Sequence, residues 1–207
     1  MSQAPHRIYL ASRSPRRREL LTQIGVLFDS LPFRAEERAD PVVDETPLPR
    51  ESAPDYVSRL ARTKSLHGLA LVTLRRRLQQ PVLAADTALE IDGEIIGKPR
   101  NAADATAILQ RLSGRSHRVL TGIALAHEER LGSALSISEV RFRALEAEEI
   151  RRYVASGDPM DKAGAYGIQG RAALFIEHIA GSYSGIMGLP LCETGQLLRA
   201  FDYQWTA

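Results

Sequence analysis

The hydrophobic pattern divides the chain into alternating strand-like and helix-like segments. Residues 7–11 (Arg-Ile-Tyr-Leu-Ala) read as a short buried strand running into Ser12-Arg13-Ser14-Pro15. Ser14 before Pro15 is a helix start, a hydroxyl cap ahead of proline at the first helical position. That helix is expected to reach Ile24, where Gly25 stops it. Arg17, Leu20, Leu21 and Ile24 fall at i, i+3, i+4 and i+7, which puts an arginine on the inward stripe. Residues 26–33 read as a second strand, and Pro41, Pro47 and Pro49 among acidic residues make 38–51 an exposed loop. A long helix follows from Ala53 to Arg76, with Val57, Leu60 and Ala61 on its buried stripe and Lys64 continuing it, while Arg59 and Arg62 point elsewhere. Residues 82–91 read as a strand, Asp92-Gly93 as a hairpin turn, and Glu94-Ile95-Ile96 as its return. Asn101 caps a helix carrying Ala105, Ile108, Leu109 and Leu112 on one face. Segments 117–126 and 135–143 are paired strands, 146–156 a helix, 172–179 a strand and 181–188 a loop, before a closing helix near Pro190. This mixture predicts an α/β or α+β fold around a central sheet.

Length and composition sharpen that expectation. A chain of 207 residues with 44% hydrophobic and 25% charged side chains fits one domain over 1–207. A net charge of +2 does not point to a nucleic-acid partner, and no basic, aromatic-rich surface signature is present. Cys192 is the single cysteine, which leaves no internal disulfide and suits a reducing cytoplasm. No apolar run has the length of a membrane span, and Met1 to Arg7 contain no signal-peptide core, so a cytoplasmic protein without a membrane partner is expected. Of 27 basic residues only Lys64, Lys98 and Lys162 are lysine. Arginine-rich codon usage explains that bias, as does a need for compact, rotating ammonium groups at three places.

Several residues carry candidate chemistry. Ser12, Ser14 and Arg17, with Arg16 on the adjoining edge, surround the start of the first helix, where free N–H groups and the dipole favour an anion. The set reads as a phosphate cradle, or as an ordinary junction whose arginine pairs with a local carboxylate. Lys64 on an apolar stripe must be paired, snorkel to water or reach into a site. Asp86, with Thr87 beside it, interrupts the buried run Val82-Leu83-Ala84-Ala85, where a carboxylate is costly unless a metal or hydrogen-bonding partner holds it. Lys98 stands at the exit of the hairpin. Lys162 opens a glycine-rich stretch through Gly164, Gly167 and Gly170, in which Gln169 could read a base edge. A triphosphate needs several cations and hard oxygen ligands for a divalent metal. Arg17, Lys64, Lys98, Lys162, Asp86 and the Glu36-Glu37 pair fit that need together. The five histidines show no metal-ligand spacing, and Ser182 lacks His-Asp partners for a serine hydrolase.

The segments together resemble the Maf family of nucleotide pyrophosphatases, related in fold to the inosine-triphosphate pyrophosphatases. The matching stretches are LASRSPRRRELL (10–21), RLARTKS (59–65), AADT (84–87), GKP (97–99), SGRSHRVLTGIAL (113–125), DKAGAYGIQG (161–170) and GSYSGIMGLPL (181–191). The resemblance implies an elongated α/β fold, a mixed sheet flanked by helices with a cleft between two lobes, commonly as a homodimer. It implies Asp86 as catalytic carboxylate, general base or metal ligand, with Ser12, Arg17, Lys64 and Lys98 on phosphates. Glu37 would help place Mg2+ or Mn2+. Arg16, Thr87 and Gln169 match the branch acting on dTTP and UTP, where the 7-methyl-GTP branch carries tryptophan, glutamine and glutamate. Gly185 and Ile186 depart from the usual larger polar residue and valine, and the 38–51 loop looks longer than in compact members. The alternatives are a pyrophosphatase of modified nucleotides or a non-catalytic nucleotide-binding regulator of septum formation.

Overall fold

The computed structural model describes residues 6–31 and 43–205. Its centre is a mixed seven-stranded sheet in the order β2 (Phe28–Ser30), β1 (Ile8–Leu10), β3 (Val82–Ile91), β5 (Ser116–His127), β6 (Arg130–Phe142) and β7 (Ile176–Ala180). The seventh strand, β4 (Glu94–Ile96), is antiparallel to the end of β3. β1 runs parallel to both β2 and β3, whereas β3, β5, β6 and β7 are successively antiparallel.

β5 pairs β3 along Val82 to Glu90, so β1 and β4 must share its opposite side. The ladder to β1 ends at Leu10–Leu83 and the ladder to β4 begins at Leu89–Ile96. Between them, residues 84–88 have no neighbouring strand on that side among the described residues. Asp86 lies within this notch in the sheet.

Helix α2 (Ala53–Leu74) covers one face of the sheet; its N-cap Ser52 accepts a hydrogen bond from Asp55 N. Val72 packs with Tyr9, Val82 and Ala84, while Val57 packs with Ala88 and Leu120. The other face carries α1 (Pro15–Gln23) and α6 (Leu191–Ala200) over Leu83, Ala85, Ile123 and Leu125. Further along it, α3 (Ala102–Leu112) and α4 (Ala147–Ala155) cover Leu89, Ile91, Val119, Val140 and Phe142. Because side chains alternate along a strand, even-numbered residues of β3 meet α2 and odd-numbered ones meet the other helices.

Most predicted elements recur at their expected places, including β3 at 82–91 and the Asp92-Gly93 turn, whose φ angles of 56° and 77° fit a two-residue hairpin. Four expectations change. The Ser14 hydroxyl makes no cap; instead Ser12 Oγ accepts from Ser14 N at 3.2 Å. β6 starts at Arg130, because the small residue Gly132 lies under Leu197 and Phe201 of the closing helix and its following turn, and a tight turn at Glu128-Glu129 replaces the expected loop. The strand expected at 172–179 begins only at Ile176, after a 3-10 turn over Arg171–Phe175 that buries Ala172 and Phe175. The expected loop at 181–188 contains helix α5 (Tyr183–Met187), capped by Ser182, whose hydroxyl accepts from Gly185 N.

Gly122 determines how closely α2 approaches the sheet. It pairs with Asp86 across the β3–β5 ladder, and a Cβ there would lie 2.5 Å from Val57 O and 2.8 Å from Val57 C. These are helix backbone atoms, which cannot rotate away. A Gly122→Ala substitution should therefore lift α2, costing about 1–3 kcal/mol in a urea melt and displacing side chains that α2 carries toward Asp86. Unchanged stability would contradict this packing.

Candidate active site

Asp86 sits midway along β3 between two apolar clusters on the α2 face, and only 8% of its surface is exposed. Seven residues after Val57, α2 presents Lys64, whose Nζ donates to Asp86 Oδ1 at 2.6 Å. The same ammonium lies 2.6 Å from Glu45 Oε1. An ammonium has three N–H donors, so one remains after these two carboxylates. Burial is the largest influence on Asp86 and raises its pKa above the usual aspartate range; Lys64 and Arg17 oppose that rise, and the like charge of Glu45 adds to it.

Glu45 was not singled out from the sequence, where 38–51 reads only as a Pro-broken acidic loop. Its described part, 43–51, is strapped to α2. Tyr56 Oη donates to Glu45 O at 2.9 Å, and Arg59 donates to Thr46 O and, through Nε and Nη2, to both carboxylate oxygens of Glu51. The sequence signal lay in Tyr56 and Arg59, one turn apart on a helix side that has no other partner in the sequence pattern. Glu36 and Glu37 lie outside the described residues.

On the opposite face, Arg17 forms a hub. Its Nε donates to Gly188 O at 2.8 Å, Nη1 to Ala85 O at 2.8 Å and Ser12 Oγ at 3.2 Å, and Nη2 to Thr87 Oγ1 at 3.2 Å. The bond to Ala85 O fills part of the open edge of β3. Desolvation lowers the pKa of Arg17 and the nearby Asp86 charge opposes that shift. Four of five guanidinium N–H groups are thus used by protein acceptors, so Arg17 ties Ser12, β3 and the turn after α5 together and keeps one N–H in reserve. Ser12 Oγ accepts from Ser14 N and Arg17, which leaves its proton for an anion.

The other expected site residues divide into two groups. Arg16 reaches from α1 toward the glycine-rich segment, with Nη1 4.0 Å from Asp161 Oδ2. Lys98 and Gln169 are exposed, and neither forms an ion pair or side-chain hydrogen bond among the described residues. The hairpin carrying Lys98 is joined to the glycine-rich segment by Gly164 N donating to Gly97 O at 3.0 Å. Lys162, expected among the substrate-binding residues, has its Nζ donating to Asp158 O at 2.5 Å, Asp158 Oδ1 at 3.1 Å and Asp161 Oδ1 at 2.6 Å. All three donors stitch its own loop. Tyr166 of that loop is anchored to buried His117 Nε2 at 2.8 Å, and burial lowers the His117 pKa to about 4, so the ring is neutral at physiological pH.

Asp86 and Glu45 provide two carboxylates around one ammonium, and among the described residues there is no cluster of three or more His, Cys, Asp or Glu side chains suited to a metal. Mg2+ and similar hard cations are commonly held by one or two carboxylates plus phosphate oxygens and water. The residues therefore fit a cation brought with a triphosphate and do not form an all-protein metal cage. No helix among the described residues is long and apolar enough to cross a membrane.

The chain is similar to known proteins over nearly its whole length. A dTTP/UTP pyrophosphatase of Dechloromonas aromatica (strain RCB) is 61% identical over 198 residues, covering 96% of this chain and 98% of that protein. One from Aromatoleum aromaticum (strain DSM 19018 / LMG 30748 / EbN1), carrying the same name, is 64% identical over 198 residues, covering 95% of this chain and 96% of that protein. The solved structure of the Staphylococcus aureus Ham1 protein superposes with a TM-score of 0.50 at 16% identity, covering 94% of this chain and 97% of that one, which supports the shared fold. The family profile described as Maf-like protein matches residues 7–201, and on these grounds the chain belongs to the Maf-like protein family.

Proposed function

We propose that this protein hydrolyses dTTP and UTP to the nucleoside monophosphate and pyrophosphate, with Mg2+ or Mn2+ as cofactor. The observation that carries the chemistry is Asp86, a nearly buried carboxylate held at Oδ1 by Lys64 at the open edge of the sheet. The naming of the two relatives above supports the substrates, as do Arg16, Thr87 and Gln169.

In this reading Asp86 orients the attacking water and takes its proton as the water adds to the α-phosphorus. Lys64 keeps Asp86 in place and turns its third N–H to a phosphate oxygen. The free proton of Ser12, the remaining N–H of Arg17 and the exposed ammonium of Lys98 hold phosphate oxygens, with Arg16 and Gln169 at the nucleotide. A divalent cation, held through Asp86 and Glu45, would neutralise charge on the phosphates and on the leaving pyrophosphate. The homodimer and the cytoplasmic location belong to the same proposal; the dimer rests on the family resemblance, and light scattering should then give twice the 22.8 kDa chain mass.

Pyrophosphate release should be measured with Mg2+ or Mn2+ over dTTP, UTP, CTP, GTP, 7-methyl-GTP and ITP. Turnover greatest on dTTP and UTP supports the proposal. Turnover confined to a purine would reject the pyrimidine assignment, and binding without turnover would favour the regulatory alternative.

Asp86→Asn should lower kcat by about 10²–10⁴-fold, the usual worth of a general base. Its stability should not fall at neutral pH. Because the folded-state pKa of Asp86 is raised, its stabilising contribution is present below the ordinary aspartate value and is lost as pH rises through the raised one. The ionised form is thus a cost that asparagine removes. Near-normal turnover of the variant would exclude Asp86 as the base.

The same shift sets a pH dependence in the metal-free protein. An NMR titration of the Asp86 carboxyl should show it ionising above the ordinary aspartate value of 3.8; Glu45→Gln should move that midpoint down, since Glu45 raises the pKa, and Lys64→Met should move it up. Shifts in the opposite directions would reject the coupling of these three groups.

A further inference from the structure

We propose that Thr121 is a positioning residue, which fixes Thr87 and Arg17 at the ligand through a polarised chain of hydroxyl groups. The inference rests on the reading of this site as the nucleotide site. It begins with hydrogen-bond directions. Thr121 Oγ1 lies 2.8 Å from Gly185 O, and a carbonyl only accepts, so the single Thr121 proton is spent there. Thr87 Oγ1 lies 2.9 Å from Thr121 Oγ1, and Thr87 must therefore be the donor. With its own proton spent, Thr87 accepts from Arg17 Nη2 at 3.2 Å. The chain runs one way, from Arg17 to Thr87 to Thr121 to Gly185 O.

Its ends are tied together. Arg17 Nε also donates to Gly188 O, so the turn of α5 from Gly185 to Gly188 is gripped at both ends by the chain. Gly188 has φ 115°, a backbone conformation that suits glycine, and a Cβ there would come into van der Waals contact with Thr87 Oγ1 at 3.4 Å and Arg17 Nε at 3.5 Å. Thr121 is fully buried. Its effect passes through Thr87, which it leaves with acceptor capacity only. A ligand group that meets Thr87 must therefore bring an N–H or O–H.

The row also crosses the sheet where packing alone would favour apolar side chains. Thr87, Thr121 and Ser136 are cross-strand neighbours on β3, β5 and β6, lying between the apolar cluster under α1 and α6 and the one under α3 and α4. Valine has the same shape as threonine without the hydroxyl, which makes the test specific.

The experiment is a double-mutant cycle in the full chain with Thr121→Val, Thr87→Val and both, and Thr121→Ser as the conservative control. It is read as kcat/KM for dTTP and as Kd for an α,β-methylene dTTP analogue, alongside urea melts. Thr121→Val should lower kcat/KM by about tenfold or more, and Thr121→Ser should recover most of it. In the Thr87→Val background the further loss should shrink to less than about twofold, because residues acting through one another are not additive. Additive losses, or a loss that follows only the melts, would overturn the proposal. If the wild type released no pyrophosphate, the pyrophosphatase reading would fail while the Kd cycle still decided the role of Thr121. A wild type that neither turned over nor bound the analogue would overturn both.

Discussion

The structure depends on one constraint: a carboxylate in the middle of a strand that is otherwise buried. Asp86 is largely desolvated there, so the fold must bring it a cation, and Lys64 supplies one at 2.6 Å. That demand fixes the height of α2 above the sheet, which Gly122 permits by offering no side chain at the strand pair of Asp86. It also fixes the rotation of α2, since Val57 and Lys64 must share one stripe. Lys64 in turn holds Glu45, so a segment without regular structure is drawn toward the carboxylate.

A second break coincides with the first on the reverse side of the sheet. Thr87 follows Asp86 and faces the other way, and both residues fall where apolar packing stops and starts again. The two faces thus change from apolar to polar at one place, and the neighbouring strands on one side of β3 stop there too. Arg17 closes this region by contacting β3, the turn after β1 and the segment following α5. These polar side chains gather where, among the described residues, the sheet loses both a neighbouring strand and a continuous core.

The sequence revealed those parts of this arrangement that follow from short-range pattern. Arg17 on the inward stripe of its helix, Lys64 continuing the stripe of Val57 and Asp86 in a run of apolar residues are all visible as interruptions of a period. Glu45 was not, because its position depends on Tyr56 and Arg59 holding a loop whose own composition looks solvated. Thr121 was hidden for a different reason: threonine is an ordinary strand residue, and only the geometry of Gly185 O assigns its proton. Lys162 illustrates the reverse case. Its scarcity as a lysine suggested a ligand contact, but its near neighbours Asp158 and Asp161 take all its donors.

The notch at residues 84–88 has a consequence for solubility. An unpaired strand edge is a template for pairing with another chain, and proteins usually shield such edges. Here β1 and β4 flank the gap like bookends, and Arg17 already occupies Ala85 O within it. A foreign strand would find too short a stretch of backbone to form a ladder, and Ala84, Ala85 and Ala88 along it are buried. The gap in the ladder therefore gives no edge along which a second chain could extend the sheet.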